Sequence, residues 1–171
     1  TGDGEVNKCI KGLRGTEEMT IFYHDRLIPV LKERFNAVNA GDIIYCEFDG
    51  HGKLNNIFVG FDSSRMQEYG VSDSNSTANG VHWTVAHAKK KLAYLKLTEK
   101  LSNNFFKYTE GDGEDDKMQK MATDAKVYRV QKKGSKVYVS LISYAEVMPG
   151  EEIFFEASTN KISAMYVLDY K

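Results

Sequence analysis

The stretch Val147-Met148-Pro149-Gly150-Glu151-Glu152-Ile153-Phe154-Phe155-Glu156 decides the fold, because the chain contains a second version of it. The earlier version is Val38-Asn39-Ala40-Gly41-Asp42-Ile43-Ile44-Tyr45-Cys46-Glu47. The correspondence continues after a turn, where residues 53–59 (Lys-Leu-Asn-Asn-Ile-Phe-Val) match residues 161–167 (Lys-Ile-Ser-Ala-Met-Tyr-Val). The two copies differ by one residue in that turn, where insertions are best tolerated. A repeat of this kind predicts two copies of one supersecondary unit.

The first copy and the residues before it predict β-structure. Residues 42–48 and 53–61 read as two strands joined by Asp49-Gly50-His51-Gly52, and an Asp-Gly pair between apolar runs is a strong hairpin signal. Residues 9–14 and 19–23 predict a further strand pair around a turn at 15–18. Residues 27–31 are ambiguous because Pro29 removes a donor from a possible helix, and we interpret them as a strand followed by one helical turn.

The start of the second copy is compatible with two structures. Leu92 and Leu95 could face one side of a helix, with the lysines of residues 89–91 on the other. Alternatively, residues 92–99 and 105–108 form a hairpin around Ser102-Asn103-Asn104. The repeat favours the strands. Further strands are predicted at 126–130 and 136–141, followed by a helical turn at 142–147 and the repeated hairpin.

These patterns predict a mostly β protein with two related small antiparallel β-barrel-like modules, each of about five strands with a short helical turn. Residues 1–62 form the first module and residues 82–171 the second, as an internal repeat of the first. Small polar residues dominate from 63 to 81, which predicts a linker or long surface loop. Units this small bury little core alone, so we expect them to pack together or against neighbours.

Composition narrows the classes of protein. The chain has 171 residues, 42% of them hydrophobic, so wholesale disorder is not expected. Its net charge of −1 argues against a nucleic-acid partner, which requires a basic face. No apolar run approaches the roughly 20 residues that span a bilayer, so no membrane partner is predicted. The two cysteines, Cys9 and Cys46, have no CxxC spacing, and we favour two free, buried, strand-located thiols over a bridge.

The second copy resembles a known family. Strands at 125–130 and 137–141, the segment Val147-Met148-Pro149-Gly150-Glu151-Glu152-Ile153 and the closing residues 160–168 are similar to the small β-barrel repeats of bacterial surface-layer and related Gram-positive cell-surface proteins. The likeness covers residues 92–170 and, more loosely, 9–62. The first copy departs from it at His24-Asp25-Arg26, where those repeats have a Gly turn, and in carrying cysteines. The resemblance implies an architectural role in an extracellular or particle-surface assembly, and it transfers no catalytic residue.

Patterns typical of enzymes are missing from the sequence. There is no Gly-x-Ser-x-Gly nucleophile elbow, no phosphate-binding GxxxxGK[ST] and no dinucleotide-binding GxGxxG. The four histidines do not suggest a metal pair, since the closest two are five positions apart and share neither a helix face nor a strand face. They are His24, His51, His82 and His87. We therefore predict a non-catalytic protein without a required cofactor.

An acidic loop is the sharpest candidate for metal binding. Residues 110–116 read Glu-Gly-Asp-Gly-Glu-Asp-Asp, so five carboxylates are spaced by glycines that permit tight turns. Carboxylate oxygens are the ligands that Ca²⁺ prefers, and Asp112, Glu114, Asp115 and Asp116 are the candidate ligands. The spacing differs from that of an EF-hand, and a solvated acidic loop is the commoner explanation of such a run.

Aromatic and basic residues of the second module suggest other ligands. Trp83 and Tyr94 could form a platform for a cell-wall glycan. The lysines of residues 89–91, with Trp83 and Tyr94 nearby, could make a basic aromatic face of the kind that binds single-stranded nucleic acid. Phe105, Phe106 and Tyr108 would belong to the same face. The simpler explanation is that Phe105 or Phe106 fills the core of its own hairpin.

The expected function follows from the repeat and the resemblance. We predict a structural or interaction module of an extracellular assembly at a cell or particle surface, such as a surface layer, an appendage or a virion. Its partners are other protein subunits or neighbouring domains, with cell-wall glycan as an alternative partner. A single-stranded nucleic-acid-binding barrel is the third hypothesis.

Overall fold

The computed structural model describes residues 8–23, 38–52, 54–68, 91–109, 116–158 and 161–170. In these ranges every regular element is a strand, apart from two 3-10 turns at Ser102–Asn104 and Tyr144–Glu146. The strands are β1 (Lys8–Arg14), β2 (Glu17–Tyr23), β3 (Ile43–Phe48), β4 (Leu54–Asp62), β5 (Gln67–Glu68), β6 (Lys91–Lys100), β7 (Phe105–Thr109), β8 (Lys117–Lys133), β9 (Lys136–Ile142), β10 (Glu152–Ser158) and β11 (Lys161–Tyr170). The described segments contain no helix of the length and apolarity that crossing a membrane requires.

Five strands of the C-terminal part close into a barrel. Their order is β6–β7–β8–β11–β10, and β10 pairs again with β6. Neighbours are antiparallel except β8 and β11, which run parallel from Lys161↔Lys120 to Tyr170↔Lys132. The last strand therefore joins the third strand of the barrel and removes its open edges.

The long strand β8 makes this closure possible. Its first residues pair with β7, and its last seven pair with β9, which lies outside the ring. The barrel interior is filled by alternate side chains of all five strands, as the period of two requires. The buried residues of this core are Ala93, Leu95, Leu97, Phe106, Tyr108, Met121, Val127, Val147, Ile153, Phe155, Ala157, Ile162, Met165 and Val167.

The N-terminal part forms two smaller sheets. Strands β1 and β2 make an antiparallel hairpin, and β3, β4 and β5 make a three-stranded antiparallel sheet. Ile21 packs against Leu54 and Ile57 in a second core that these two sheets share. Cys46 contributes to the same core.

The repeated Gly-acidic segments fold into the same turn. The N–H of Asp42 donates to the carbonyl of Asn39 (3.1 Å), and the N–H of Glu151 donates to that of Met148 (3.2 Å). Each acidic side chain also accepts from the N–H at the start of its own turn, at 2.8 Å in both copies. The glycine before each acidic residue has positive φ, 98° for Gly41 and 92° for Gly150, as a type II turn demands.

The hairpins that follow these turns share one register. Cys46 lies opposite Ile57 in the first hairpin, and the corresponding Phe155 lies opposite Met165 in the second. The neighbouring pairs correspond as well, namely Ile44↔Val59 with Ile153↔Val167 and Tyr45↔Phe58 with Phe154↔Tyr166. The alignment of the two copies, with one residue of slippage in the turn, therefore predicts the strand pairing correctly.

The repeat does not extend to a second barrel. The mostly β character and the β6–β7 hairpin are confirmed, and the helix alternative for residues 92–101 is wrong because these residues pair with both β7 and β10. The described residues before 69 form two open sheets instead of a closed ring. Residues 63–68 of the predicted linker form a turn and β5, which pairs with β4. The rest of the linker and the predicted strand at 27–31 lie outside the described residues.

The thiols are free, as we expected, but only one of them is shielded. Cys46 is partly buried on β3, whereas Cys9 is exposed on β1. Cys9 alternates along the strand with Ile10, which packs towards the shared core, so its own side chain lies on the opposite, solvent side. The prediction of two buried thiols is therefore wrong for Cys9.

Candidate functional site

The two repeat hairpins pack against each other through their outer faces. Phe61 of β4 is fully buried and contacts the rings of Tyr94, Phe154 and Tyr170, with centroid separations of 5.0, 5.9 and 6.0 Å. Half-buried Tyr45 joins the same cluster from β3. Each hairpin thus has one face in the core of its own part of the chain and the other face in this shared interface.

A missing side chain lets the hairpins approach closely. A Cβ on Gly60 would lie 2.6 Å from the ring of Tyr45 and 3.3 Å from that of Phe154. Both distances are shorter than ordinary carbon–carbon contacts, so Gly60 provides the space in which these rings pack. The close packing of the two hairpins at this point therefore requires a residue without a side chain.

Hydrogen bonds hold the loop before β3 both to the end of the barrel and to the residue that follows β4. The hydroxyl of Tyr170 donates to the carbonyl of Gly41. The carboxylate of Asp42 accepts from the N–H (2.8 Å) and the hydroxyl (2.7 Å) of Ser63, and that hydroxyl also lies 3.1 Å from the carbonyl of Ala40. Ser63 is buried, so these bonds satisfy groups that water does not reach.

A buried carboxylate lies among tyrosines at the same interface. Glu156 is 9% exposed and accepts from the hydroxyl of Ser163 at 3.2 Å. Burial, and then the charge of Glu156, raises the pKa of Tyr45 far above its ordinary value. The same two causes raise the pKa of Tyr166 to about 12, with a further contribution from Tyr128, whose ring stacks on Tyr166 at 5.5 Å. Both phenols therefore stay protonated at neutral pH beside the carboxylate, which makes this cluster a structural polar centre.

The other side of the barrel has a more exposed surface. Phe106 and Tyr108 point into the core, so Phe105, Lys107 and Thr109 of β7 point outwards, opposite Lys120 and Met118 of β8. We call these five residues (Phe105, Lys107, Thr109, Met118 and Lys120) the outer wall.

The outer wall combines apolar and cationic groups. The ammonium of Lys120 lies 5.2 Å from the ring centroid of Phe105, and Met118 is 59% exposed. Lys107 forms an ion pair with Glu99 at 2.9 Å, and the hydrogen bond that its ammonium donates to the Glu99 carboxylate raises the pKa of Lys107. Such a surface can stack on a sugar or a base, but carboxylates already partly neutralise it.

The predicted calcium ligands are described only in part. Asp116 is exposed just before β8, and Asp112, Glu114 and Asp115 lie outside the described residues. Within the described ranges, no three acidic, histidine or cysteine side chains come together in a way that could hold a metal ion. The calcium hypothesis for this loop remains a prediction.

The predicted aromatic residues are divided between two sides of the barrel. Tyr94 lies half-buried against Phe61 in the hairpin interface, while Trp83 lies outside the described residues. Phe106 and Tyr108 fill the barrel core, so among the described aromatic residues proposed for a basic face only Phe105 reaches the outer wall. His51 is exposed in the turn after β3, and the other histidines fall outside the described residues.

Sequence reasoning missed the residues that connect the two hairpins. Glu156, Ser63 and Tyr170 drew no attention because none belongs to a known motif. One signal was present: Glu156 has the same strand parity as Phe154, so a carboxylate lies on a face that otherwise carries a large aromatic ring.

Comparison of the chain with family models, curated proteins and solved structures finds no match.

Proposed function

We propose that this protein is a non-catalytic structural or interaction module of a surface assembly, such as a surface layer, an appendage or a virion. The observation that carries the proposal is the packing of the two repeat hairpins through Phe61, Phe154 and Tyr170. This packing joins the closed barrel to the three-stranded sheet, and the second core joins that sheet to the β1–β2 hairpin, so the described parts form one unit of the kind a building block needs. The likeness to cell-surface repeats supports an extracellular location.

We also propose that the two halves of the chain are related modules. The matching turns before β3 and β10, and the shared register in the middle of β3–β4 and β10–β11, support a common ancestor for the two hairpins. The acidic loop would tune contacts between subunits or bind cations there. Its candidate ligands remain Asp112, Glu114, Asp115 and Asp116.

Sedimentation velocity over a wide concentration range, with calcium and then with chelator, tests the assembly function. Reversible growth into defined oligomers or polymers is the expected result. A calcium role would also lower the melting temperature on chelation of calcium-loaded protein, and charge-neutralising substitutions at Asp112, Asp115 and Asp116 would remove that response. A strict monomer in both conditions would argue against the assembly function.

The second candidate function is binding of cell-wall polysaccharide, and the outer wall favours it. Five-stranded Greek-key barrels of the OB type bind oligosaccharides and oligonucleotides on the outer face of their second and third strands. By analogy those strands are β7 and β8 here, where Phe105, Met118 and Lys120 lie. A glycan-binding module would remain monomeric and bind isolated cell-wall polysaccharide.

Two substitutions separate the possible ligand surfaces. Phe105→Ala should abolish glycan binding if the outer wall is the site, whereas Trp83→Ala should do so if the predicted Trp83 and Tyr94 platform is used. If the ligand is single-stranded nucleic acid, its binding affinity should instead fall steeply as the salt concentration rises. Binding to neither ligand would leave the assembly function as the better account.

A further inference from the structure

Strand β9 is the exposed edge of the large sheet. Among the described residues it pairs only with β8, whereas β6, β7, β8, β10 and β11 close on one another. Its pairing runs without interruption from Lys133↔Lys136 to Val127↔Ile142. An edge of this kind presents a row of backbone donors and acceptors to other chains.

The turn before β9 determines which backbone groups point outwards. Gly134 has a φ of 64° and is followed by Ser135, so a two-residue turn joins the directly opposed Lys133 and Lys136. Antiparallel strands alternate between residues bonded to the neighbour and residues turned away from it. Counting from Lys136, the N–H and C=O groups of residues 137, 139 and 141 point away from β8.

The side chains beside this edge leave it open to solvent. Leu141 is 61% exposed on one face of the strand, and Tyr138 is 51% exposed on the other. The strand therefore exposes a large side chain to solvent on each of its faces, beside the unpaired edge.

The other described edges are protected in the usual ways. Strand β1 carries Lys11 in its middle, β2 carries Glu18, and β5 has only two residues. Strand β3 has two register shifts, one of them beside Glu47. Charges, bulges and short length all discourage pairing with other chains. In contrast, β9 has no charge, proline or bulge after Lys136.

The sequence of β9 is complementary to itself. Val137, Val139 and Leu141 occupy one face, and Tyr138 and Ser140 lie between them. An antiparallel copy centred on Val139 places Val137 opposite Leu141 and Tyr138 opposite Ser140. The Val137–Leu141 and Val139–Val139 pairs are apolar cross-strand pairs of the kind that stabilise sheets.

We propose that β9 pairs with β9 of a second copy of this chain, antiparallel and about a two-fold axis at Val139. This inference rests on the proposed assembly function and names its interface. All the outward backbone groups of residues 137, 139 and 141 find partners in this arrangement, and the two sheets become continuous. The two Lys136 side chains lie about 20 Å apart, at opposite ends of the paired segment, so they do not repel each other strongly.

Two variants and a matched control test the interface by sedimentation velocity. Val139→Pro removes an outward N–H but leaves the bonds to β8 in place. Leu141→Lys adds a charge at an exposed position, and Met148→Lys adds the same charge at an equally exposed position (59%) away from β9. We expect both β9 variants to weaken self-association by about tenfold or more, and the control to associate like the wild type.

The outcomes separate this inference from the function on which it rests. Self-association that survives in both β9 variants would overturn the β9 interface and leave the assembly function intact. A wild-type protein that stays monomeric up to about 1 mM would overturn both. If Val139→Pro lowers the melting temperature sharply, the comparison of Leu141→Lys with Met148→Lys decides the question alone.

Discussion

The hydroxyl of Tyr170 donates a hydrogen bond to the backbone carbonyl of Gly41, although the two residues are 129 positions apart. It connects the last strand of the barrel with the turn that precedes the first repeat hairpin. Burial, and then the charge of Asp42, raises the pKa of Tyr170, so the phenol stays a donor throughout the neutral range. One bond therefore links the two ends of the repeat.

Replacing Tyr170 tests how much this hydrogen bond contributes to the stability of the protein. Tyr170→Phe keeps the ring that packs against Phe61 and removes only the donor. We expect the free energy of unfolding to fall by about 1 kcal/mol, which lowers the melting temperature by about 2–4 °C in a chain of this size. Tyr138→Phe, on the exposed side of β9, is the control, and an equal loss in both variants would contradict the argument.

Gly60 offers a test of the hairpin interface. Gly60→Ala would place a methyl group against Tyr45 and Phe154, so we expect a loss of about 1–3 kcal/mol from overpacking. Gly12→Ala on β1 is the matched control, because nothing lies within 4 Å of its Cβ position. Chemical denaturation of both variants measures the difference, and a neutral Gly60→Ala would show that the rings can move apart freely.

The hydrogen bonds around the Glu151 carboxylate predict that the stability of the protein depends on pH. Burial alone would raise its pKa, but the hydrogen bonds from Arg129 and the Met148 N–H outweigh burial, so the pKa lies below its ordinary value of 4.5. A lowered pKa in the folded state stabilises the protein above that ordinary value, and the contribution disappears as the pH falls through the folded pKa.

Glu151→Gln is the corresponding variant. It should lose up to about 1 kcal/mol at pH 7 and converge with the wild type below the folded pKa of Glu151. Unfolding curves at pH 7, 5 and 3 measure this difference. A gap between the two proteins that does not shrink in acid would contradict the assignment.

The cysteines should differ in reactivity. Burial raises the pKa of the Cys46 thiol to about 11, so little thiolate forms at pH 8, whereas Cys9 is exposed on β1. A thiol reagent at pH 8 should therefore modify one cysteine of the native protein rapidly, and both cysteines of the denatured protein. Cys9→Ser should remove the rapid reaction, and a rapid reaction that persists in this variant would show that Cys46 is accessible.

Local sequence signals predicted most of the strands. The Asp-Gly turn signal at residues 49–52 and the alternation of the strands led to the two repeat hairpins. These features depend on residues a few positions apart. The extent of β8 was underestimated, because residues 117–125 lack a clear alternating pattern, and residues 117–121 extend the strand by pairing with β7 and β11.

The candidate surfaces were predicted less well, because they depend on contacts between strands that are distant in sequence. Tyr94 and Phe105 both looked like members of one aromatic face, yet they lie on different sides of the barrel. The sequence shows that a side chain alternates along a strand, but it does not show which face a neighbouring sheet will cover. The position of Glu156 among Tyr45 and Tyr166 likewise depends on strands that are distant in sequence.

The sequence by itself determined the repeated turn, the hairpin that follows it and the mostly β character, since turn chemistry and strand alternation are local properties. Only the tertiary structure decided that the second copy closes through a parallel β8–β11 pair while the described part of the first stays open. It also decided that Phe154 faces the first hairpin while its neighbours Ile153 and Phe155 face the barrel core. All three residues are large and apolar, so their assignment to one side or the other depends on which distant strands pack against each face.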